Sequence, residues 1–224
     1  MLKWVGVAAA TLVAVFATGT ANAQMYGSLD YGWSRLDNAT TRIENGVSPG
    51  TDAVFNLISG EGYAGRGAIG WDFGPVRIEG ELGVTKHDND RYVSQVPGNV
   101  TRDLDGAIDI FSGVVNVLYD FNVGPGFTPY VGAGFGAAQV NIEAIGPRPT
   151  APTGPVVTMI KDEEIDSMWQ VMGGVAIPVS SNLSITAQYR YFNAGTVDLL
   201  DDQRRATHSE IQGDSWDLGA RMTF

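Results

Sequence analysis

The chain has 224 residues, a formal net charge of −11, 29 glycines, no cysteine and a mean hydropathy of −0.02. That length suits one domain or one barrel, and the missing cysteine excludes a disulfide framework, a thiol nucleophile and any cysteine metal site. No apolar run of about 18 residues occurs outside the N-terminus, which excludes a helical membrane protein. The acidic balance is wrong for nucleic acid, whose binding rests on Lys and Arg neutralising phosphates.

Lys3 gives a short positive region, Trp4 to Ala17 an apolar core, and Ala21-Asn22-Ala23 a small-x-small site before Gln24. This predicts a secretory signal peptide over residues 1–23 and a mature domain over 24–224. The apolar run is shorter than the roughly 20 residues that a membrane anchor needs. Loss of Lys3 takes the formal charge from −11 to −12.

The mature part reads as eight segments with period two, the mark of strands with one apolar and one polar face. The first, Met25 to Leu36, sets Leu29, Tyr31 and Trp33 against Ser28, Asp30 and Ser34. A polar stretch from Asp37 to Glu61 separates it from the second, Gly62 to Phe73, with Tyr63, Ile69, Trp71 and Phe73 against Arg66 and Asp72. Gly74-Pro75 is a tight turn. The third strand, Val76 to Thr85, has Val76, Ile78, Leu82 and Val84 against Arg77, Glu79 and Glu81.

After polar Lys86 to Asp105, the fourth strand ends in Val115, Val117, Tyr119 and Phe121, opposed by Asn116, Leu118 and Asp120. A short Gly-Pro-Gly turn leads to the fifth, Thr128 to Ala137. Its alternate glycines, Gly132, Gly134 and Gly136, leave room on one face for large neighbouring side chains, with Val131, Ala133 and Phe135 on the other. Asn141 to Glu164 is again long, with four prolines and the acidic run Asp162-Glu163-Glu164. The sixth strand shows Trp169, Val171, Val175 and Ile177. Ser180-Ser181-Asn182 is a turn, and the seventh sets Leu183, Ile185, Ala187, Tyr189 and Tyr191 against Ser184, Thr186, Gln188 and Arg190. A last polar stretch, Asn193 to about His208, precedes the eighth strand, Ser209 to Phe224. There Trp216, Leu218, Ala220, Met222 and Phe224 alternate with Ser215, Asp217, Gly219, Arg221 and Thr223.

Three regularities follow. Connections alternate long and short, as in an outer-membrane barrel with both termini on the short-turn side. The apolar face carries charge only at long-loop ends (Arg35, Asp109, Asp214), whereas the other face carries Asp30, Arg66, Asp72, Arg77, Glu79, Glu81, Asp120, Arg190, Asp217 and Arg221. Lipid outside demands that sorting, because Arg or Lys on the lipid face costs roughly 2–4 kcal/mol near the midplane. Finally, Trp71, Phe73, Tyr119, Phe121 and Phe224 fall at short-turn ends and Trp33 and Trp169 near long-loop ends, as two interfacial girdles would require. The expected fold is all-β, an eight-stranded antiparallel up-and-down transmembrane β-barrel.

The stretches Thr128-Pro-Tyr-Val-Gly-Ala-Gly, Asn116-Val-Leu-Tyr-Asp-Phe, Asn182-Leu-Ser and Tyr189-Arg-Tyr-Phe192, with terminal Phe224, resemble the small outer-membrane β-barrels of Gram-negative bacteria. That family groups OmpA-like transmembrane barrels, opacity proteins and related surface antigens. The resemblance covers the mature chain, strands better than loops. With the sequence stopping at Phe224, no peptidoglycan-binding domain like that of full OmpA proteins is expected, and cell-wall tethering is not carried over. The resemblance implies that Trp216, Leu218, Met222 and Phe224 form the terminal signal read by the barrel-assembly machinery.

Eight strands enclose an interior that side chains just fill, and charges there must pair. The expected lumen network joins Arg66, Arg77, Arg190 and Arg221 to Asp30, Glu79, Glu81, Asp120 and Asp217, making a plug; a narrow water channel with the same lining is the alternative. The four long segments hold 15 acids and 8 Lys or Arg, so the outer surface should be negative. Such loops suit cation bridging to lipopolysaccharide or a host or phage ligand, or are simply solvated. His87-Asp-Asn-Asp90 and Asp103-Leu-Asp105-Gly106 lack the spacing and closing Glu of a calcium loop. The sequons Asn38-Ala-Thr40 and Asn99-Val-Thr101 say little in a bacterial protein. His208, Ser209 and Glu210 resemble a hydrolase set, but neighbours on a strand point to opposite faces. The expectation is therefore no enzyme, cofactor or metal site, and a monomer in outer-membrane lipid with a structural or surface-interaction role. A small weakly cation-selective porin is the second reading, and a soluble periplasmic lipocalin-like barrel the third.

Overall fold

The computed structural model describes residues 23–37, 39–43, 53–94, 100–147, 156–200 and 206–224. Side chains are described only over 23–37, 61–88, 107–141, 164–196 and 210–224. The expected signal peptide, Asn38 and Asn99 of the sequons, and the side chains of Asn89, Asp90, Asp103, Asp105, Asp162, Glu163, His208 and Ser209 lie outside these.

Among the described residues nine strands, β1 (Gln24–Leu36), β2 (Ala39–Ile43), β3 (Ala53–Asp72), β4 (Val76–Ser94), β5 (Val100–Asp120), β6 (Thr128–Pro147), β7 (Val156–Pro178), β8 (Leu183–Leu200) and β9 (Ala206–Thr223), form one sheet. Every pairing is antiparallel. β2 continues β1 in the same slot, since both lie between β3 and β9, so the barrel has eight staves. Closure comes from β1 and β9: Tyr26 pairs with Thr223 and Leu36 with Gly213, and the Phe224 amide donates to the Met25 carbonyl. No helix occurs among the described residues. Consecutive strands pair because short turns favour hairpins, and closure removes the exposed edges that an open sheet would carry.

The staves are staggered. Gly32 is linked through Asp217, Gln188, Gly174 and Tyr130 to Asp120, at the short-turn end of β5, while on its other side it pairs with Ala64, itself opposite Thr85 in mid-β4. This shear tilts the strands and fixes the width of the lumen.

Three short connections, over 73–75, 121–127 and 179–182, lie together at one end. Gly74 turns with φ +95° and accepts support from its neighbour, its amide donating to Asp72 Oδ1 at 2.8 Å. Asp72, which shares the inward parity but stood outside the expected lumen network, supports this turn. Gly124 and Gly126 take φ of 110° and 114° in the second connection, conformations closed to most L side chains.

At the other end the strands run further than hydropathy indicates. β3 starts at Ala53, not Gly62; β4 continues to Ser94, not Thr85; β6 and β7 extend over stretches read as loop, as do β8 and β9. Alternation fades where lipid no longer selects it, but the backbone ladder still satisfies its own polar groups in water. Hydropathy therefore marks the membrane, and not the end of the strand.

Candidate functional site: the barrel wall and lumen

Period two divides each stave cleanly. Leu29, Tyr31, Ile69, Leu82, Val117, Phe135, Ile185 and Leu218 are exposed on the outside, while Arg66, Arg77, Glu79, Glu81, Arg190 and Asp217 are buried inside. Asp30, Asp120 and Arg221 face the same interior at its half-buried short-turn side. Val131, Ala133 and Phe135 face outward, and the glycines between them make space inward. A Cβ at Gly134 would strike Asn116 Oδ1 and Val114, and one at Gly132 would press on Leu118.

The outer face carries aromatics toward both ends. Tyr119 packs edge-on to Phe121 at 5.1 Å near the short turns, where Phe224 is exposed and Trp71 and Phe73 are half-buried. Toward the long loops, Tyr31 stacks on Tyr63 at 6.1 Å, Tyr189 meets Trp216 at 4.9 Å and Trp169 meets Tyr191 at 5.7 Å, with Trp33 exposed alongside. Just beyond them stand two outward ion pairs, Arg35–Asp214 at 3.3 Å and Lys86–Asp109 at 3.7 Å. In both the cation is the more exposed member, 70% for Arg35 and 69% for Lys86. These pairs bound the apolar band from above.

Inside, the arginines collect carboxylates from distant strands. Arg190 forks onto Glu81, with Nη1 and Nη2 donating at 2.7 and 2.8 Å, and its Nε lies 3.5 Å from Asp217. Arg66 donates to Asp217 at 2.7 Å. Nearer the short turns, Arg77 forks onto Asp120 at 2.9–3.0 Å and lies over the rings of Tyr26 and Tyr130 at 5.5 and 5.0 Å. Arg221 approaches Asp120 at 3.8 Å and also covers Tyr26.

Two acids are held differently from the expected arginine pairing. Glu79 accepts from the Tyr26 hydroxyl at 2.6 Å and from Asn116 at 3.0 Å, and Asp30 accepts from Thr186 at 3.1 Å. Neither has a cation within ion-pair distance among the described residues. Neutral side chains complete the network: Gln170 donates to Asn116 and Glu81, and Gln188 to Asp217 while accepting from Tyr130. Charge sorting could not find these residues. Their only signal is inward parity beside a charged neighbour. A small, partly open cleft of about 20 Å³, room for about one water, remains among the charges toward the short-turn side, lined among others by Ser28, Asp30, Glu79, Glu81, Arg190 and Arg221.

Sequence reading also missed what lies above the charges. Phe192 follows Arg190 on the inward face and Met168 follows Gln170, and beyond them Leu36, Ile108, Ile110, Val140 and Ile211 are all buried. His87 is buried at this level, paired in register with Ile108, with neither ring nitrogen in hydrogen-bond geometry with a described group. It lies one residue past Lys86, outside the lipid band. Burial holds its pKa down to about 4, against an opposing pull from Asp88.

A closed antiparallel sheet with an apolar outside, aromatic rims and charges within is a transmembrane β-barrel; a soluble barrel reverses that polarity. Over residues 5–224 the sequence matches the family described as outer membrane protein beta-barrel domain, and the chain belongs to that family. It is 29% identical over 176 residues to outer membrane protein PagN of Salmonella typhimurium, covering 72% of each chain. It is 26% identical over 219 residues to opacity protein opA60 of Neisseria gonorrhoeae, covering 83% of this chain and 88% of that one. Among solved structures, Neisserial surface protein A aligns over 91% of this chain and 99% of its own with a TM-score of 0.51 at 16% identity, a likeness of fold. The protein is an outer-membrane barrel of the Gram-negative type, its outer wall in contact with lipid.

Proposed function

We propose that this barrel is a closed membrane anchor that presents its long connections outside the cell, with a structural or surface-interaction role. The observation that carries this is the lumen: at the mid-depth of the barrel Arg190, Glu81, Arg66 and Asp217 bond across the interior from four different strands. Buried forked pairs resist exchange, because a stranded ion is costly. With no path through the barrel, the part left to act is the acidic outer surface, whose composition suits divalent-cation bridging to lipopolysaccharide or a basic ligand on a host cell or phage. The names of the relatives, outer membrane protein and opacity protein, accord with a surface role. Monomeric action and recognition of the β9 residues Trp216, Leu218, Met222 and Phe224 by the barrel-assembly machinery belong to the same reading. Non-catalytic action does too.

The cleft on the short-turn side favours a second reading, a narrow cation-selective pore. Planar-bilayer recording of the refolded barrel separates them. The anchor reading expects silence from a barrel whose heat-dependent gel mobility shows it to be folded. Reproducible steps altered by Arg66→Gln would make it a pore. Loss of surface binding on deletion in cells would then place the activity in the loops.

A further inference from the structure

The lumen has two chemically different halves, and the closed-anchor reading draws on the charged half alone. We infer that the barrier is an apolar collar at the outer end, with the charge network forming the floor of a vestibule that is wet from the periplasmic side. This rests on the closed reading and locates its cause.

The collar comprises Ile108, Ile110, Val140, Met168, Phe192 and Ile211, each 4% exposed or less. Register carries it across β5 to β9 and, through Leu36, onto β1, with Gly62 and His87 filling the level on β3 and β4. Ile110 pairs with Val140, Ile108 faces His87 across the β4–β5 ladder, and Phe192 and Leu36 meet at Gly213 from opposite sides of β9. Phe192, Ile108, Ile211 and Val140 are among the largest fully buried side chains of the barrel. All lie toward the long loops from Arg190, Glu81 and Gln170, so the lumen from outside inward runs from apolar to charged, and the cleft opens among the charged groups.

The two halves treat an ion differently. Below, carboxylates, guanidiniums, amides and hydroxyls offer an ion polar partners in place of its hydration, and Asp30 and Arg221 line the cleft with only weak partners. Above, an ion meets mainly methyl groups and a phenyl ring, with the His87 imidazole on the β4 side and Asp166 and Glu164 on the inward face of β7 toward the outer rim. The apolar stretch between offers little in place of its hydration, so a constriction of this kind stays dry and stops conduction. His87 does not alter this. It stays neutral well below physiological pH; its neighbours Asp88, Lys86 and Asp109 lie on the outward face, and the inward acids, Asp166 and Glu164, stand on β7, which pairs with neither β4 nor β5.

The test compares three refolded, heat-modifiable barrels in planar bilayers: the unaltered chain, Arg190→Gln with Glu81→Gln, and Phe192→Ser with Ile110→Ser. The collar inference expects silence from the first two and discrete conductance steps from the third. Steps from the charge-neutral variant with silence from the collar variant would overturn it and leave the closed reading standing. Steps from the unaltered chain would overturn the closed reading itself. Because the chain has no cysteine, a second measurement avoids any folding defect of the double variants. A small aqueous thiol reagent should label Ser28→Cys and leave Phe192→Cys unreacted, and rapid labelling at position 192 would refute the dry collar.

Discussion

Arg190 is the residue on which the interior turns. It is 1% exposed, forks onto Glu81 and reaches Asp217, so its removal strands buried Glu81 without a cation and leaves Asp217 to Arg66 alone. Arg190→Ala should destabilise the barrel by about 3–5 kcal/mol, measured as urea unfolding in lipid vesicles, whereas replacing both Arg190 and Glu81 by methionine should recover much of that loss. His87 makes a prediction of opposite kind. In the folded barrel its imidazole stays neutral to pH about 4, while in the unfolded chain it takes a proton near its ordinary value of 6.5. The unfolded state therefore binds the extra proton between those values. Stability should be level above about 6.5, fall as pH drops toward 4, and change no further below. The difference between the unaltered chain and His87→Leu across that window isolates the effect from the carboxylates. At this scale the sequence showed which charges face inward, through parity alone. It could not show that Glu79 would bond Tyr26 and Asn116, or that Asp72 would close a turn, because those choices depend on which staves the shear brings opposite one another.

At the scale of the strand, lipid is the selecting solvent, and its signature was legible. The alternation of β9 from Trp216 to Phe224 placed an apolar stripe outside, and Leu218, midway along it, is 56% exposed to the bilayer. Leu218→Arg should cost roughly 2–4 kcal/mol at that depth, read as a lower urea midpoint. The same substitution at Tyr191, level with the Arg35–Asp214 pair, should cost much less. Strand ends were not legible for a related reason. Past Lys86 on β4 and Glu61 on β3 the outer face meets water, so either side chain polarity is tolerated while the ladder runs on to Ser94 and back from Ala53. The apolar collar escaped notice because its residues share a parity with charged ones. Sorting by charge addressed the lower face alone and overlooked the upper.

For the whole molecule, eight staves, their direction and the side on which the long loops fall could be read from the order of short and long connections and from the placement of aromatics. The closing pair could not, since nothing local links Tyr26 to Thr223. That pair has a consequence for how the protein must be made. β1 is the first strand to leave any translocation pore and β9 the last, yet each is the other's neighbour. Until β9 arrives, β1 carries an open edge that would accept a strand from any other chain. Folding by installments is therefore closed to this barrel. Its earliest strands must be kept apart from their own kind until synthesis and export are finished, and the time spent waiting is set by chain length, not by the speed of any hairpin.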